Sequence, residues 1–198
     1  MCQEVFKVVQ SMDLSQVETK MALQCAPVIT GIKISNLFIT VSDDEDKVYS
    51  IFRKTEIIPY CLLKQKTRTT YLLFRMRQMI IQLNNKNVKA ILKKIGYKDF
   101  SLGGILRTFQ KRYETYMNDR KNFPHEMGIL LGYPIEDVIG FIEQEGKNYL
   151  YAGYWKVYSD VNTKKKLFAQ YENAKEELIL WLEYGYEIHS VIQMYCIQ

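Results

Sequence analysis

Apolar residues return every three or four positions in several parts of the chain, and this spacing predicts amphipathic helices. The clearest examples are residues 102–120 and 164–183, where long apolar stripes alternate with charged faces. Shorter stretches of the same kind predict further helices at 14–24, 47–56, 78–83 and 88–95, and a last one from Tyr186 onward. Pro27 follows the first of these shorter stretches and is expected to end or bend that helix.

Other stretches are rich in the β-branched and aromatic residues that strands favour. Residues 36–41 predict one strand, and 60–66 with 69–76 predict a β-hairpin across a polar turn. Residues 149–158 predict one further strand, whose side chains would alternate between two faces. Strands interleaved with helices predict an α+β fold, with a small mixed or antiparallel sheet of about four strands covered by helices. Since no repeat or low-complexity linker is present, residues 1–198 are interpreted as a single domain.

Residues 122–142 specify their local backbone geometry closely. Pro124 suits the first position of a helix, and Gly132 is a natural left-handed stop. Pro134 then begins a second helix with acids in its first turn, where the helix dipole favours negative charge. The sequence therefore predicts two short helices that meet at a tight turn, here called the Pro124–Pro134 corner.

The composition is that of an ordinary globular protein. Hydrophobic residues make up 47% of the chain, but no apolar run approaches the roughly 20 residues needed to cross a bilayer. The first ten residues lack the basic region and apolar core of a signal peptide. The four cysteines are scattered without a C-x-x-C pair, which indicates reduced thiols. These features predict a cytoplasmic protein with no metal site and no membrane partner.

Positive charge is concentrated in the middle of the sequence. Residues 53–121 hold 17 basic and 4 acidic residues, whereas the rest of the chain is net acidic. Either this segment binds an anionic partner, or it attracts the acidic parts of the same chain. Phosphate contacts would suit its basic group of Arg107, Lys111, Arg112, Arg120 and Lys121. Nucleic acid is nevertheless the less favoured partner, because no glycine-rich phosphate loop accompanies these residues.

The Pro124–Pro134 corner also has the spacing of a helix-turn-helix. Its second helix, residues 134–144, carries three acids and neither lysine nor arginine. Such a helix would repel the phosphates that position a protein on DNA. DNA binding through the corner is therefore disfavoured.

Three residues are candidates for catalysis. His125 and Glu126 lie together at the start of the corner, where they would serve as acid and base. A zinc peptidase motif would need a second histidine at the position of Ile129, so that motif is absent. Cys25 is a candidate nucleophile if Lys33 or His125 lowers its pKa, and a buried structural thiol is the alternative.

Four polar residues lie inside or beside apolar, strand-like stretches: Lys33, Asn36, Arg75 and Lys156. A buried cation is costly unless it is paired, so each cation needs a carboxylate, an anion or access to solvent. Convergence of the four would create an anion site, with Tyr133 and Trp155 as flat apolar walls. The alternative is that Arg75 and Lys156 only pair with acids of the chain.

The chain carries several distinctive short motifs: Cys-Ala-Pro at 25–27, Gly-Ile-Lys at 31–33, Asn-Leu at 36–37, Phe-Arg at 74–75, Pro-His-Glu at 124–126, Leu-Gly-Tyr-Pro at 131–134 and Gly-Tyr-Trp-Lys-Val-Tyr at 153–158. Together they resemble an uncharacterised family of bacterial proteins of unknown function, frequent in anaerobic Gram-positive bacteria. The resemblance extends roughly from Cys25 to Tyr171 and implies no particular activity.

The sequence thus favours a protein that binds a small anionic ligand or cofactor of unknown identity in a pocket near the corner. An enzyme that acts through His125 and Glu126 stays an open interpretation. The alternative function is a non-catalytic adaptor that binds a protein or nucleic acid through residues 53–121.

Overall fold

A computed structural model describes residues 2–196, in which the chain divides into two units. Unit 1 comprises the described parts of Met1–Met76 and Ala169–Gln198, and unit 2 comprises Arg77–Phe168. Unit 1 is therefore assembled from two separate segments of the sequence, whereas unit 2 is continuous.

The described chain contains both helices and strands. In chain order the helices are α1 (Gln3–Ser11), α2 (Val17–Ile29), α3 (Glu45–Ile51), α4 (Met76–Asn84), α5 (Lys86–Lys94), α6 (Leu102–Asp119), α7 (Met127–Leu130), α8 (Ile135–Glu143), α9 (Val161–Glu183) and α10 (Ile188–Cys196). The strands are β1 (Ser35–Val41), β2 (Ile57–Lys64), β3 (Arg68–Arg75), β4 (Tyr151–Ala152) and β5 (Lys156–Val157). These elements confirm the predicted α+β class.

Unit 1 is built on a three-stranded antiparallel sheet. Strand β3 lies in the middle and pairs with both β1 and β2. β3 is buried at every position after its first residue, because it has a neighbour on each side. The β2–β3 pair confirms the predicted hairpin, and its register shifts between Cys61 and Leu63.

A continuous apolar core fills unit 1. Helix α2 supplies many of its fully buried side chains, including Met21, Ala22, Cys25, Val28 and Ile29. The same core contains Phe38 and Leu73 of the sheet and Val191 of α10. Burial of this apolar surface is the main stabilising contribution to unit 1.

The sequence predicts that Pro27 ends or bends the helix, and in the structure helix α2 continues through Pro27 to Ile29. Proline in a helix interior lacks an N–H and crowds the preceding turn, which costs about 3 kcal/mol. Pro27 lies near the end of the helix, and its carbonyl accepts a hydrogen bond from the Lys33 N–H at 2.9 Å. Because Pro27 and its neighbours are buried in the core, apolar burial offsets that cost.

Unit 2 consists of helices around a short hairpin. Its longest complete helix, α6, agrees with the helix predicted over 102–120 and begins where the Ser101 hydroxyl accepts the Gly104 N–H at 3.0 Å. Ile105 and Phe109 lie on the buried side of this helix. The amphipathic pattern therefore identified both the helix and the side that faces the core of unit 2.

Residues 149–158 do not form the single strand that the sequence predicts. They form a hairpin of two short strands, β4 and β5, which is separate from the sheet of unit 1. The turn passes through Gly153, where a Cβ atom would lie 2.3 Å from the Phe168 ring. The chain reverses here because glycine lets the backbone approach that ring closely.

Candidate functional site

The Pro124–Pro134 corner is closed by a hydrogen-bonded turn at the end of α7. Gly132 adopts a left-handed φ of +72°, which confirms its predicted role as a helix stop. The Tyr133 N–H donates to the Gly128 carbonyl at 2.9 Å, and the Gly132 N–H donates to the Ile129 carbonyl at 3.0 Å. This pair of bonds is a Schellman motif. Pro134 then stands immediately before α8 and fixes the start of that helix.

A cavity of about 250 Å³ lies against the corner, here called the corner cavity. Most of its walls are apolar or aromatic, and its lining residues are Phe123, His125, Met127, Gly128, Leu131, Tyr133, Asp137, Val138, Phe141, Tyr154, Trp155 and Lys156. The structure thus brings four of the predicted site residues to one cavity: His125, Tyr133, Trp155 and Lys156. Apolar walls with a few polar groups are typical of small-molecule sites.

Stacked aromatic rings form one wall of the corner cavity. The rings of Tyr133 and Trp155 are nearly parallel, with centroids 4.7 Å apart. Phe168 meets the Trp155 ring edge-on at 4.5 Å and so fixes its orientation. Burial raises the pKa of Tyr133 to about 12, so its hydroxyl stays protonated at neutral pH. This wall is suited to contact with a flat apolar group.

Asp137 holds the hairpin against α8. One carboxylate oxygen accepts the Tyr158 N–H at 2.8 Å and the Ser159 N–H at 3.3 Å, and the other accepts the indole N–H of Trp155 at 2.8 Å. Asp137 is only 2% exposed and lies in the first turn of α8, where the helix dipole favours its charge. Its hydrogen bonds therefore position Trp155 in the wall of the corner cavity.

Lys156 supplies the positive charge of the corner cavity. Its ammonium donates to the Gly146 carbonyl at 2.7 Å and lies 5.0 Å from the Tyr149 ring centroid and 5.8 Å from that of Phe141. Within residues 2–196 it forms no ion pair with a carboxylate. A lysine ammonium has three donors, and one carbonyl satisfies only one of them. The remaining charge and donors are therefore suited to an anionic group.

His125 is held by aromatic packing rather than by hydrogen bonds. Its ring lies 5.5 Å from the Phe123 ring and 5.8 Å from the Phe141 ring, measured between centroids. Its Nδ1 atom is buried and has no hydrogen-bond partner in the described part of the chain. An unpaired buried polar group costs about 1–3 kcal/mol, so the buried Nδ1 atom of His125 lowers the free energy of unfolding.

Glu126, the neighbour of His125, does not line the corner cavity. It is only 3% exposed, and its carboxylate accepts the Tyr97 hydroxyl at 2.9 Å and a guanidinium N–H of Arg112 at 3.1 Å. Arg112 also donates to the Ile95 carbonyl at 2.8 Å. The geometry thus ties Glu126 into a buried ion pair, and its predicted role as an acid or base stays a prediction.

The other predicted site residues lie in unit 1, and Arg75 is the most completely bonded of them. Its side chain is 4% exposed and donates to the carbonyls of Val28 at 2.9 Å and Ile29 at 2.7 Å. A further guanidinium nitrogen lies 3.8 Å from a Glu56 oxygen. Val28 and Ile29 end α2, where carbonyls lack partners within the helix, so Arg75 caps α2.

Cys25, Lys33 and Asn36 lie in or beside the core of unit 1. Cys25 is fully buried, and burial raises the pKa of its thiol, so the reactive thiolate is disfavoured. Lys33 is 5% exposed, and burial lowers its pKa to about 8. Asn36 donates to the Gln24 carbonyl at 3.1 Å, while its own side-chain oxygen is buried without a partner in the described residues.

The lowered pKa of Lys33 predicts how stability changes with pH. Between about pH 8 and the ordinary lysine value of 10.5, the native state loses this proton while the unfolded state keeps it. Stability that depends on Lys33 therefore rises with pH through this window. We expect the unfolding free energy of the natural protein, relative to that of Lys33→Met, to rise by about 1–2 kcal/mol from roughly pH 7.5 to 9.5 in urea titrations.

Lys47→Met is the matched control for this experiment, because Lys47 is exposed on α3. The difference in unfolding free energy between Lys47→Met and the natural protein should stay constant over the same pH range. A pH-independent difference for Lys33→Met would contradict the lowered pKa of Lys33.

Sequence reasoning missed two groups that shape the corner cavity. From the sequence, Asp137 is an acid at a helix start and a candidate ion-pair partner of Arg75 or Lys156, whereas its bonds to the hairpin join positions about 20 residues apart. Phe123 and Phe141 pack around His125, although both appear in the sequence as ordinary apolar residues. The signal for Asp137 was its position three residues after Pro134, beside Glu136, in a largely apolar segment.

Among residues 2–196, no group of three or more His, Cys, Asp and Glu side chains is arranged to hold a metal ion. In the same part of the chain, every helix is too short or too polar to span a bilayer.

Comparison with known proteins gives one match. A family model described as "Protein of unknown function (DUF3793)" matches residues 21–192. No curated protein and no solved structure matches the chain.

Proposed function

The chain belongs to the DUF3793 family of proteins of unknown function, as its short motifs predict, and we propose that it binds a small anionic ligand in the corner cavity of unit 2. One observation carries this proposal. The apolar, aromatic-walled cavity contains the ammonium group of Lys156, which forms no ion pair in residues 2–196.

The proposed ligand has a flat apolar body and an anionic group. The stacked Tyr133 and Trp155 rings offer a planar surface, and this wall is held in place by the hydrogen bond between Trp155 and Asp137. Three N–H groups of the hairpin donate to the carboxylate of Asp137, and their dipoles partly offset its repulsion of an anion. Lys156 and the imidazole of His125, which forms no hydrogen bond in residues 2–196, are the polar groups proposed to meet the ligand.

Aromatic carboxylates are suitable probes, each compared with its neutral amide. In a Trp181→Phe background, Trp155 is the remaining tryptophan and reports binding by fluorescence. We expect benzoate and indole-3-acetate to bind more tightly than benzamide and indole-3-acetamide. Lys156→Met should remove this preference and weaken carboxylate binding about tenfold or more, because a hydrogen bond to a charged group contributes about 1.5–3 kcal/mol.

Lys147→Met is the matched control, since Lys147 is exposed in the preceding loop and pairs with Glu145 rather than lining the corner cavity. This variant should keep the preference for carboxylates. His125→Phe should weaken binding without lowering thermal stability, because it removes a buried unpaired nitrogen and keeps an aromatic ring. Equal binding of carboxylates and amides by the natural protein would refute the proposal.

A further inference from the structure

A second depression, here called the basic cleft, borders the corner cavity. It has a volume of about 360 Å³, and its lining includes Lys111, Arg112, Asn122, Phe123, His125 and Glu126. Phe123 and His125 line the corner cavity as well, so the two spaces share part of their walls. Both lie entirely within unit 2.

The basic cleft carries one positive charge that no ion pair within residues 2–196 balances. Glu126 is paired with Arg112, and the Tyr97 hydroxyl also donates to the Glu126 carboxylate. These contacts neutralise Glu126 and fix the guanidinium of Arg112, which also lies 4.8 Å from the centroid of the Tyr97 ring. Lys111 is exposed and forms no ion pair in the described residues. A second anionic group would therefore be attracted to Lys111.

The sizes of the two spaces support a ligand that occupies both. Ligand sites usually have volumes of roughly 300–1,000 Å³, and the corner cavity alone lies below that range. The combined volume of the corner cavity and the basic cleft falls within that range. His125 stands in the shared wall, and its side chain forms no hydrogen bond in residues 2–196.

We propose that the ligand is an elongated aromatic dianion, with one anionic group at Lys156 and the second at Lys111. This inference rests on the proposed function, because it extends the same ligand from the corner cavity into the basic cleft. Its aromatic body lies against Tyr133 and Trp155, and it passes His125 to reach the basic cleft. The two ammonium groups then select for the number and spacing of negative charges as well as for apolar shape.

Aromatic dicarboxylates of increasing length test this ligand class. Terephthalate, naphthalene-2,6-dicarboxylate and biphenyl-4,4′-dicarboxylate are each compared with the monocarboxylate of the same ring system. At least one dicarboxylate should bind about tenfold more tightly than its monocarboxylate. Lys111→Met should remove that gain and leave monocarboxylate affinity unchanged.

The matched control is Lys86→Met, because Lys86 is exposed on α5 and lines neither space. It should leave the affinities of both probe classes unchanged. Equal affinities of mono- and dicarboxylates for the natural protein, with Lys156 still required, would overturn the dianion inference alone. Equal weakening of both classes by Lys111→Met would also overturn it. Failure of every carboxylate to bind would overturn the proposed function and this inference with it.

Discussion

Replacing Asp137 by alanine should lower the free energy of unfolding by about 3–5 kcal/mol. The change leaves three donors without their acceptor: the Trp155 indole N–H and the backbone N–H groups of Tyr158 and Ser159. Each buried donor left unpaired costs about 1–3 kcal/mol, and the loss of a negative charge in the first turn of α8 adds to this. Urea unfolding followed by Trp155 fluorescence in a Trp181→Phe background measures the effect directly.

Glu143→Ala provides the comparison for Asp137→Ala. Glu143 is an exposed acid in the same helix, α8, and its removal should change the unfolding free energy by less than about 0.5 kcal/mol. Asp137→Asn should be intermediate, because its amide oxygen still accepts a hydrogen bond but the side chain has lost its charge. If Asp137→Ala were as stable as Glu143→Ala, Asp137 would not be what holds the hairpin to α8.

Replacing Arg75 by methionine should destabilise the protein by about 2–4 kcal/mol. Methionine preserves much of the buried volume but removes the donors to the Val28 and Ile29 carbonyls. Both carbonyls end α2. That of Ile29 would be left buried without a partner in the described residues, and that of Val28 would keep the Gly31 N–H at 3.3 Å. An unpaired buried polar group costs about 1–3 kcal/mol. The loss is measured by urea unfolding monitored through the helical circular dichroism signal.

Arg77→Met is the control for Arg75→Met, because Arg77 is exposed two residues further along the chain. Its effect should remain within about 0.5 kcal/mol. Hydrogen exchange adds a local test, since loss of the cap should accelerate exchange at the end of α2 in Arg75→Met alone. Unchanged exchange there would show that α2 does not depend on the Arg75 guanidinium.

The sequence predicts the elements of this fold well wherever local preference and burial agree. The apolar stripe of α6 and the β-branched residues of β1 and the β2–β3 hairpin identify elements close to their observed bounds. The prediction was wrong at residues 149–158, where alternation suggested one strand. The hairpin that forms there depends on Asp137 and on Phe168, and neither lies within the predicted strand.

The candidate site was predictable only in part, because it too depends on contacts between residues far apart in the sequence. Pro124, Gly132 and Pro134 specify the corner locally, because each fixes a backbone conformation on its own. A buried cation such as Arg75 needs partners, but the sequence does not show that helix carbonyls rather than a ligand supply them. Hydrogen bonds between residues far apart in the sequence depend on how the chain packs, and the spacing of apolar residues does not predict that packing.

The divided sequence of unit 1 has a consequence for biosynthesis. Unit 2 is continuous, so all of its residues have been translated once Phe168 has been added. Unit 1 has to wait for the segment after Phe168, which carries the core residues Val191 and Ile192. At about 5–20 residues per second, the ribosome needs roughly 2–6 seconds more to supply that segment. During that interval the apolar side of α2 lacks its final cover, so the nascent chain passes through a stage in which chaperones can bind it.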